Sequence, residues 1–217
     1  MATVAETRPA TWAWERYSPL AGVIAVACWV VGAIVLQDAV DGETGAELVQ
    51  QYNGNEGQIA AAGIIWLIGT ALFFWFLGSL RSRLLAAEGP EGRLTTMAFA
   101  GGVAATVCIA LFPGPSVSAT FVDDKNLDGS AAVALDALGD AFFVAAEYLL
   151  PVMLAATALL ALRTRAVIPR WLAWVTLAVA LVMLIAPIGW AAMIFAFPIW
   201  VVIVSVLLWL PPTTARL

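Results

Sequence analysis

Six apolar runs, each long enough to cross a lipid bilayer, constrain this chain more than any other feature. They cover residues 19–37, 58–80, 94–112, 131–162, 169–186 and 190–210. A helix rises ~1.5 Å per residue, so about 20 apolar residues cross the ~30 Å hydrocarbon core. The chain is 63% hydrophobic and only 12% charged, which is more apolar surface than a water-soluble core of 217 residues can bury. We therefore predict one all-α membrane domain over residues 1–217, a bundle of six transmembrane helices.

The basic residues predict the orientation of this bundle. Nine arginines lie before the first run, between the second and third, between the fourth and fifth, or after the sixth, and Lys125 alone lies on the other side. Cytoplasmic loops of membrane proteins are enriched in lysine and arginine. We therefore predict that both termini are cytoplasmic, in a multi-pass protein of the cell membrane whose outer loops are acidic.

The composition also argues against several functions. The chain has no histidine, which removes imidazole-ligated haem, the common zinc sites and imidazole-based catalysis. Its net charge of −5 gives no basic face for nucleic acid. Cys28 and Cys108 each lie inside an apolar run and form no CxxC pair, so thiol redox chemistry has no support. We expect a protein that is not an enzyme, has no cofactor and binds no nucleic acid.

Glu147 is the residue that most strongly indicates function, because a carboxylate inside a membrane span is costly and usually serves a purpose. Asp136, Asp140 and Glu147 are spaced by four and then seven residues, which places them on one face of the fourth helix. We expect this face to line an outward-facing acidic pocket. With no lysine or arginine in the interior of any run, Glu147 is protonated, hydrogen-bonded or charged against a bound cation. The alternative is a neutral Glu147 that only fixes helix packing.

A second pattern precedes the fourth run. Asp124, Asn126 and Asp128, followed by Gly129, match the first half of a D-x-[DN]-x-[DN]-G calcium loop. Position twelve of that loop is Leu135, where a calcium loop needs glutamate. We therefore favour a polar turn in which Asp128 or Ser130 caps the fourth helix, with calcium binding as the alternative.

Small residues in the third run predict close helix packing. Ala98 with Gly102, and Gly101 with Ala105, have the small-xxx-small spacing that lets helix backbones approach. We expect this packing to lie within one chain, with a homo-oligomer as the alternative. In the first outer loop, residues 43–53 are predicted to form a short amphipathic helix on the membrane surface.

Four segments resemble a group of largely actinobacterial six-span proteins of unknown function. They are the Glu-Leu-Val-Gln-Gln-Tyr helix of the outer loop, Leu77-Gly-Ser-Leu-Arg-Ser-Arg83, Glu88-Gly-Pro-Glu-Gly-Arg93 and Pro169-Arg-Trp-Leu-Ala-Trp174. The chain is similar over nearly its whole length to the domain-of-unknown-function class numbered 4386. This resemblance implies the six-span layout and carries no activity or site residue with it.

Two functions remain open at this point. The first is binding or translocation of a proton, a cation or a small amphiphile through the acidic pocket, with Glu147, Asp140 and Asp136 as ligands. The second is a structural or assembly role, in which the acidic outer face docks a partner.

Overall fold

The computed structural model of the protein describes residues 13–122, 127–164 and 167–210, and every regular element within them is helical. The helices are α1 (Ala21–Ala39), α2 (Gly45–Gly54), α3 (Glu56–Glu88), α4 (Arg93–Leu111), α5 (Gly114–Ala119), α6 (Gly129–Thr164), α7 (Arg170–Met183), α8 (Ala186–Ala191) and α9 (Phe197–Trp209). Two short 3₁₀ turns, Ala13–Arg16 and Ser18–Leu20, precede α1, and a π-helical turn, Ala192–Ala196, joins α8 to α9. The predicted all-α class is confirmed.

Five helical stretches of the described chain are long and apolar enough to cross a membrane. They are Ser18–Ala39, Glu56–Glu88, Arg93–Ala119, Gly129–Thr164 and Pro187–Trp209, and they coincide with five of the six predicted runs. The remaining run, residues 169–186, contains only α7, whose 14 residues extend about 21 Å. The predicted run continues to residue 186, but α7 ends at Met183. A turn at Leu184 and Ile185 follows it, before Pro187.

The main core joins the membrane helices through aromatic side chains. Rings from α1, α3 and α9 contact one another, namely Trp29, Phe73, Phe76, Phe197 and Trp200. Two buried hydrogen bonds tie helices together: the Trp29 indole donates to Thr70 at 3.0 Å, and the Trp200 indole donates to Thr176 at 2.8 Å. Both threonine hydroxyls themselves bond a carbonyl of their own helix. Interhelical polar contacts therefore fix α1 against α3 and α7 against α9.

The small residues of α4 permit the close packing that their spacing predicts. A methyl group on Gly101 would lie 2.9 Å from the Val152 Cβ of α6, and one on Gly102 would lie 2.8 Å from a Leu77 methyl carbon of α3. Both glycines are buried. The intramolecular use of these residues is confirmed.

A second, smaller core lies at the acidic end of the bundle. Its buried members come from α1, α2, α3, α5, α6 and the segment before α6: Ala39, Leu48, Tyr52, Ile59, Ala119, Leu127 and Ala132. The predicted outer-loop helix forms as α2, and Thr44 caps its start through a reciprocal pair of bonds with Glu47. Because Leu48 and Tyr52 are buried in this core, α2 packs onto the other helices.

Candidate functional site

Glu147 lies in the second half of α6, with only 4% of its surface exposed, and faces Gly189 of the short helix α8. A methyl group on Gly189 would overlap the Glu147 Oε1 atom and lie 2.5 Å from the Met183 carbonyl oxygen. The carboxylate and the carbonyl therefore share one small space, and the absence of a side chain on Gly189 leaves it open.

Both oxygens in this space are hydrogen-bond acceptors that lack a donor. In a continuous helix the Met183 carbonyl would accept from the amide four residues on, but Pro187 occupies that position and has no N–H group. The N–H groups of Leu184, Ile185, Ile188 and Gly189 bond to carbonyls other than that of Met183. Among the described residues, none donates a hydrogen bond to the Glu147 carboxylate. A buried polar group without a partner is costly, so this acceptor pair calls for a proton or a cation.

Pro151 removes a further donor near the site. It lies inside α6, four residues after Glu147, so the Glu147 carbonyl also lacks its helical N–H partner. Two prolines thus remove helical N–H donors near Glu147: Pro151 within α6, which continues through it, and Pro187 in the first turn of α8.

The depth of Glu147 follows from the length of α6. This helix has 36 residues and extends about 54 Å, well beyond the ~30 Å of hydrocarbon. Glu147 lies seven residues after Asp140 and sixteen before Arg163, which is about 10 Å and about 24 Å along the axis. It therefore lies inside the apolar stretch, on the acidic side of its midpoint and about 7 Å from it.

Asp136 and Asp140 line a separate cavity of about 280 Å³ at the acidic end of the bundle. The two carboxylates are one helical turn apart on α6, and Gln37 of α1 and Ser116, beside them, are the other polar side chains in the lining. Among the described residues, no basic side chain and no part of Glu147 lines this cavity. The structure therefore brings Asp136 and Asp140 together and separates Glu147 from them, so the single pocket expected from the sequence is divided in two.

A pair of phenylalanine rings adjoins the acidic cavity. Phe112 lines the acidic cavity, and its ring contacts that of Phe143, with 5.7 Å between ring centroids. Phe143 precedes Glu147 by four residues, about one turn of α6.

Tyr52 of α2 connects the small outer core to the acidic cavity. Its side chain is fully buried, and its hydroxyl has no hydrogen-bond partner within the described chain. Burial raises the pKa of this phenol, and the nearby Asp136 charge adds to the rise. Ser116 lies close enough to oppose the rise, although its hydroxyl is not in hydrogen-bonding geometry with Tyr52.

The calcium-loop pattern is described only in part. Asp124 and Asn126 lie outside the described residues. Asp128 accepts hydrogen bonds from the Ala131 amide at 2.7 Å and the Ser130 hydroxyl at 2.8 Å. These bonds lower the pKa of the Asp128 carboxyl, the Ala131 bond contributing most. Asp128 thus caps α6, as the favoured interpretation predicted, and no cluster of three metal-ligating side chains occurs among the residues that could be searched.

No family, curated protein or solved structure matches the chain. The resemblance to the domain-of-unknown-function class therefore remains a prediction.

The sequence interpretation did not include the partners of Glu147. Pro187 and Gly189 lie between the fifth and sixth apolar runs, where a proline and a glycine are typical of any turn, and Met183 is one apolar residue among many in its run. One feature of the sequence does indicate a carbonyl without a helical donor at Met183. Pro187 follows Met183 by four residues, the same spacing that separates Glu147 from Pro151.

Proposed function

We propose that this is a six-span protein of the bacterial cell membrane, with both termini in the cytoplasm, that binds and translocates a proton or a small cation at Glu147. A small cationic amphiphile is the larger variant of the same ligand class. The observation that carries the proposal is the buried pair of acceptors formed by the Glu147 carboxylate and the Met183 carbonyl, with no donor among the described residues.

The chemistry of this pair favours a positively charged ligand. A proton on Glu147 would let the carboxyl donate to the Met183 carbonyl, and a cation would use both oxygens as ligands. Membrane transporters often coordinate sodium ions or protons with an acidic side chain and the free carbonyls of an interrupted helix. Here Pro151 and Pro187 leave the carbonyls of Glu147 and Met183 without their helical donors, although α6 itself continues through Pro151.

The acidic cavity supplies a route from outside. Asp136 and Asp140 raise the local concentration of cations, because a cleft of one charge sign attracts ions of the other. Phe112 lines the cavity and its ring contacts that of Phe143 on α6. In this proposal the ring pair is the barrier that a proton or cation passes on its way from the cavity to the carboxylate.

The proposed topology rests on the distribution of charge and on the turn at Gly189. Arg16, Arg81, Arg83 and Arg163 lie at one end of the long helices, and the aspartates of α6 lie at the other. In this topology α7 and its flanking residues cross the membrane, so that the α7–α8 turn faces outside. The last helical stretch, ending in α9, then returns the chain to the cytoplasm.

The test compares Glu147→Gln with the wild type. Thermal stability of the purified protein is measured from about pH 5 to 9 in sodium, potassium, lithium or choline chloride. We expect the wild type to gain stability with one of the small cations, or to change with pH, because a ligand that binds only the native state stabilises it. Glu147→Gln should remove that response, and Asp140→Asn should weaken it.

Glu56→Gln is the matched control, since Glu56 is an exposed carboxylate at the start of α3. It should keep the wild-type response. The proposal is contradicted if the stability of the wild type is the same in all four salts and at every pH, and if Glu147→Gln is equally stable. Packing would then be the only role of Glu147.

One observation favours the second candidate function. Five carboxylates around α2 are exposed, and none forms an ion pair with a described residue: Asp38, Asp41, Glu43, Glu47 and Glu56. A basic partner would fit this face. Neutralising Glu43 and Glu47 together should then prevent co-purification of that partner and leave the Glu147-dependent response intact, whereas the translocation proposal requires no partner.

A further inference from the structure

A second cavity lies at the arginine-rich end of the bundle, and Glu147 is not among its lining residues. Its volume is about 700 Å³, and it forms where the 3₁₀ turns before α1 meet α3 and the end of α9. Its polar lining includes Arg16, Ser18, Ser79, Ser82 and Arg83. Ser18 and Ser79 share a 2.7 Å hydrogen bond, which holds the chain before α1 against α3 and sets the width of the cavity.

The two arginines keep most of their donors available. Arg83 uses one N–H group on the Leu208 carbonyl, at 3.0 Å, which positions its guanidinium beside the end of α9. Arg16 has no hydrogen bond or ion pair with a described residue. Glu15 is the single carboxylate in the lining, so the cavity carries an excess of positive charge. Guanidinium groups bind phosphate oxygens well, because their planar N–H donors match that geometry.

Aromatic side chains form the remaining wall and point to the source of the phosphate. Phe74, Trp75 and Trp209 line the same cavity, and each is exposed at the surface of the bundle. Tryptophan is enriched at the membrane–water boundary, at the level of the lipid headgroups. A free phosphate ion is fully polar and gains nothing from contact with aromatic rings. The glycerol and acyl chains of a phospholipid would pack along them.

We propose that this cavity binds the phosphate of an anionic phospholipid, with Arg16 and Arg83 as its ligands. The acyl chains lie along Phe74 and Trp209, in the inner leaflet if the proposed orientation holds. Basic cavities between membrane helices at the cytoplasmic side suit such headgroups. The site does not depend on the cation-binding role of Glu147.

The test measures lipid retention by native mass spectrometry, after incubation with equal amounts of phosphatidylglycerol and phosphatidylcholine. The wild type should retain phosphatidylglycerol preferentially. An arginine at an anionic membrane surface contributes about 1 kcal/mol, or about five-fold in affinity. Arg16→Gln and Arg83→Gln should each weaken retention by about five-fold, and the double variant by about 25-fold.

Arg81→Gln is the matched control, because it removes the same charge from the same helix end. Arg81 lies over the Phe99 ring, 5.5 Å from its centroid, and does not line the cavity. Its retention of phosphatidylglycerol should equal that of the wild type. Arg83→Gln also loses a bond to the Leu208 carbonyl and could fold less well. Arg16→Gln tests the site without that complication, since Arg16 bonds no described residue.

A second arm separates the two sources of phosphate. Short-chain phosphatidylglycerol should raise the melting temperature of the lipid-free protein in detergent, and inorganic phosphate or glycerol phosphate at equal concentration should not. A rise with inorganic phosphate alone would overturn the lipid assignment. Equal loss of retention in Arg81→Gln and Arg16→Gln would overturn the site.

Discussion

Glu147 of α6 and Gly189 of α8 meet so closely that only glycine fits opposite the carboxylate. A methyl group at position 189 would overlap Glu147 Oε1 and lie 2.5 Å from the Met183 backbone oxygen. The carboxylate could move aside by rotating its side chain, but the carbonyl belongs to the backbone. Gly189 therefore sets the distance between α6 and α8, and with it the space in which the proposed ligand binds.

Gly189→Ala should destabilise the protein by about 1–3 kcal/mol, the usual cost of forcing extra volume into a packed site. It should also remove the cation or pH response. Gly78→Ala is the control, because a methyl group there meets no heavy atom within 4 Å. It should leave stability unchanged or raise it by about 0.4–1 kcal/mol. Chemical denaturation in detergent measures both, and a Gly189→Ala protein as stable as the wild type would contradict the described contact.

Tyr52→Phe should be neutral or stabilising at neutral pH, because the buried hydroxyl has no partner to lose. The pH dependence has a definite sign. Because the pKa of Tyr52 is raised in the folded protein, the unfolded chain ionises first, and stability falls as pH rises above about 10. Tyr52→Phe should lose this alkaline decline.

Leu48→Ala is the comparison for Tyr52→Phe, since Leu48 is buried in the same small core. It should cost about 2–5 kcal/mol at every pH, as truncation of a buried leucine does. A large loss of stability in Tyr52→Phe at neutral pH would show that the hydroxyl has a partner.

Thr176→Val should cost about 0.6 kcal/mol, the average for an interhelical hydrogen bond in membranes, because it removes the acceptor of the Trp200 indole. Thr157→Val is the matched control on α6. The Thr157 hydroxyl is buried without a partner in the described chain, so valine should be neutral or stabilising. Equal losses in the two variants would contradict the assigned bonds.

The long elements were predictable because apolar length alone specifies a membrane helix. The runs that became α1, α3, α4 and α6 needed no knowledge of their neighbours. The end of α7 at Met183 was not predictable, because residues 184–186 are as apolar as the helix before them and the break becomes visible only in the fold.

The candidate site was predictable only in its acidic residues. Asp136, Asp140 and Glu147 share one helical face by spacing, but spacing cannot say which neighbour covers each part of that face. Here Phe112 and Ser116 lie beside Asp136 and Asp140, whereas Gly189 lies against Glu147. A contact made by a backbone carbonyl, as at Met183, leaves almost no trace in a sequence.

Cysteine accessibility tests the proposed six spans at the α7–α8 turn. Cys28 and Cys108 are first replaced by alanine, and Ile188, which is 47% exposed, is changed to cysteine. In intact cells this cysteine should react with a membrane-impermeant maleimide, as should one placed at Glu43. A cysteine at Glu91 should react only after the cells are opened. Protection of position 188 in intact cells, with Glu43 reactive, would mean that α7 and α8 form a hairpin that does not cross the membrane.

Infrared difference spectroscopy tests the central claim, that Glu147 binds and releases a proton or a cation, most directly. Spectra of the purified protein are recorded across pH, with and without each small cation, for the wild type and Glu147→Gln. A protonated carboxyl group gives a C=O stretching band distinct from that of a carboxylate. The account predicts such a band in the wild type that disappears as pH rises or as the bound cation is added, and that is absent from Glu147→Gln. A Glu147 band that persists unchanged at every pH and in every cation would contradict it.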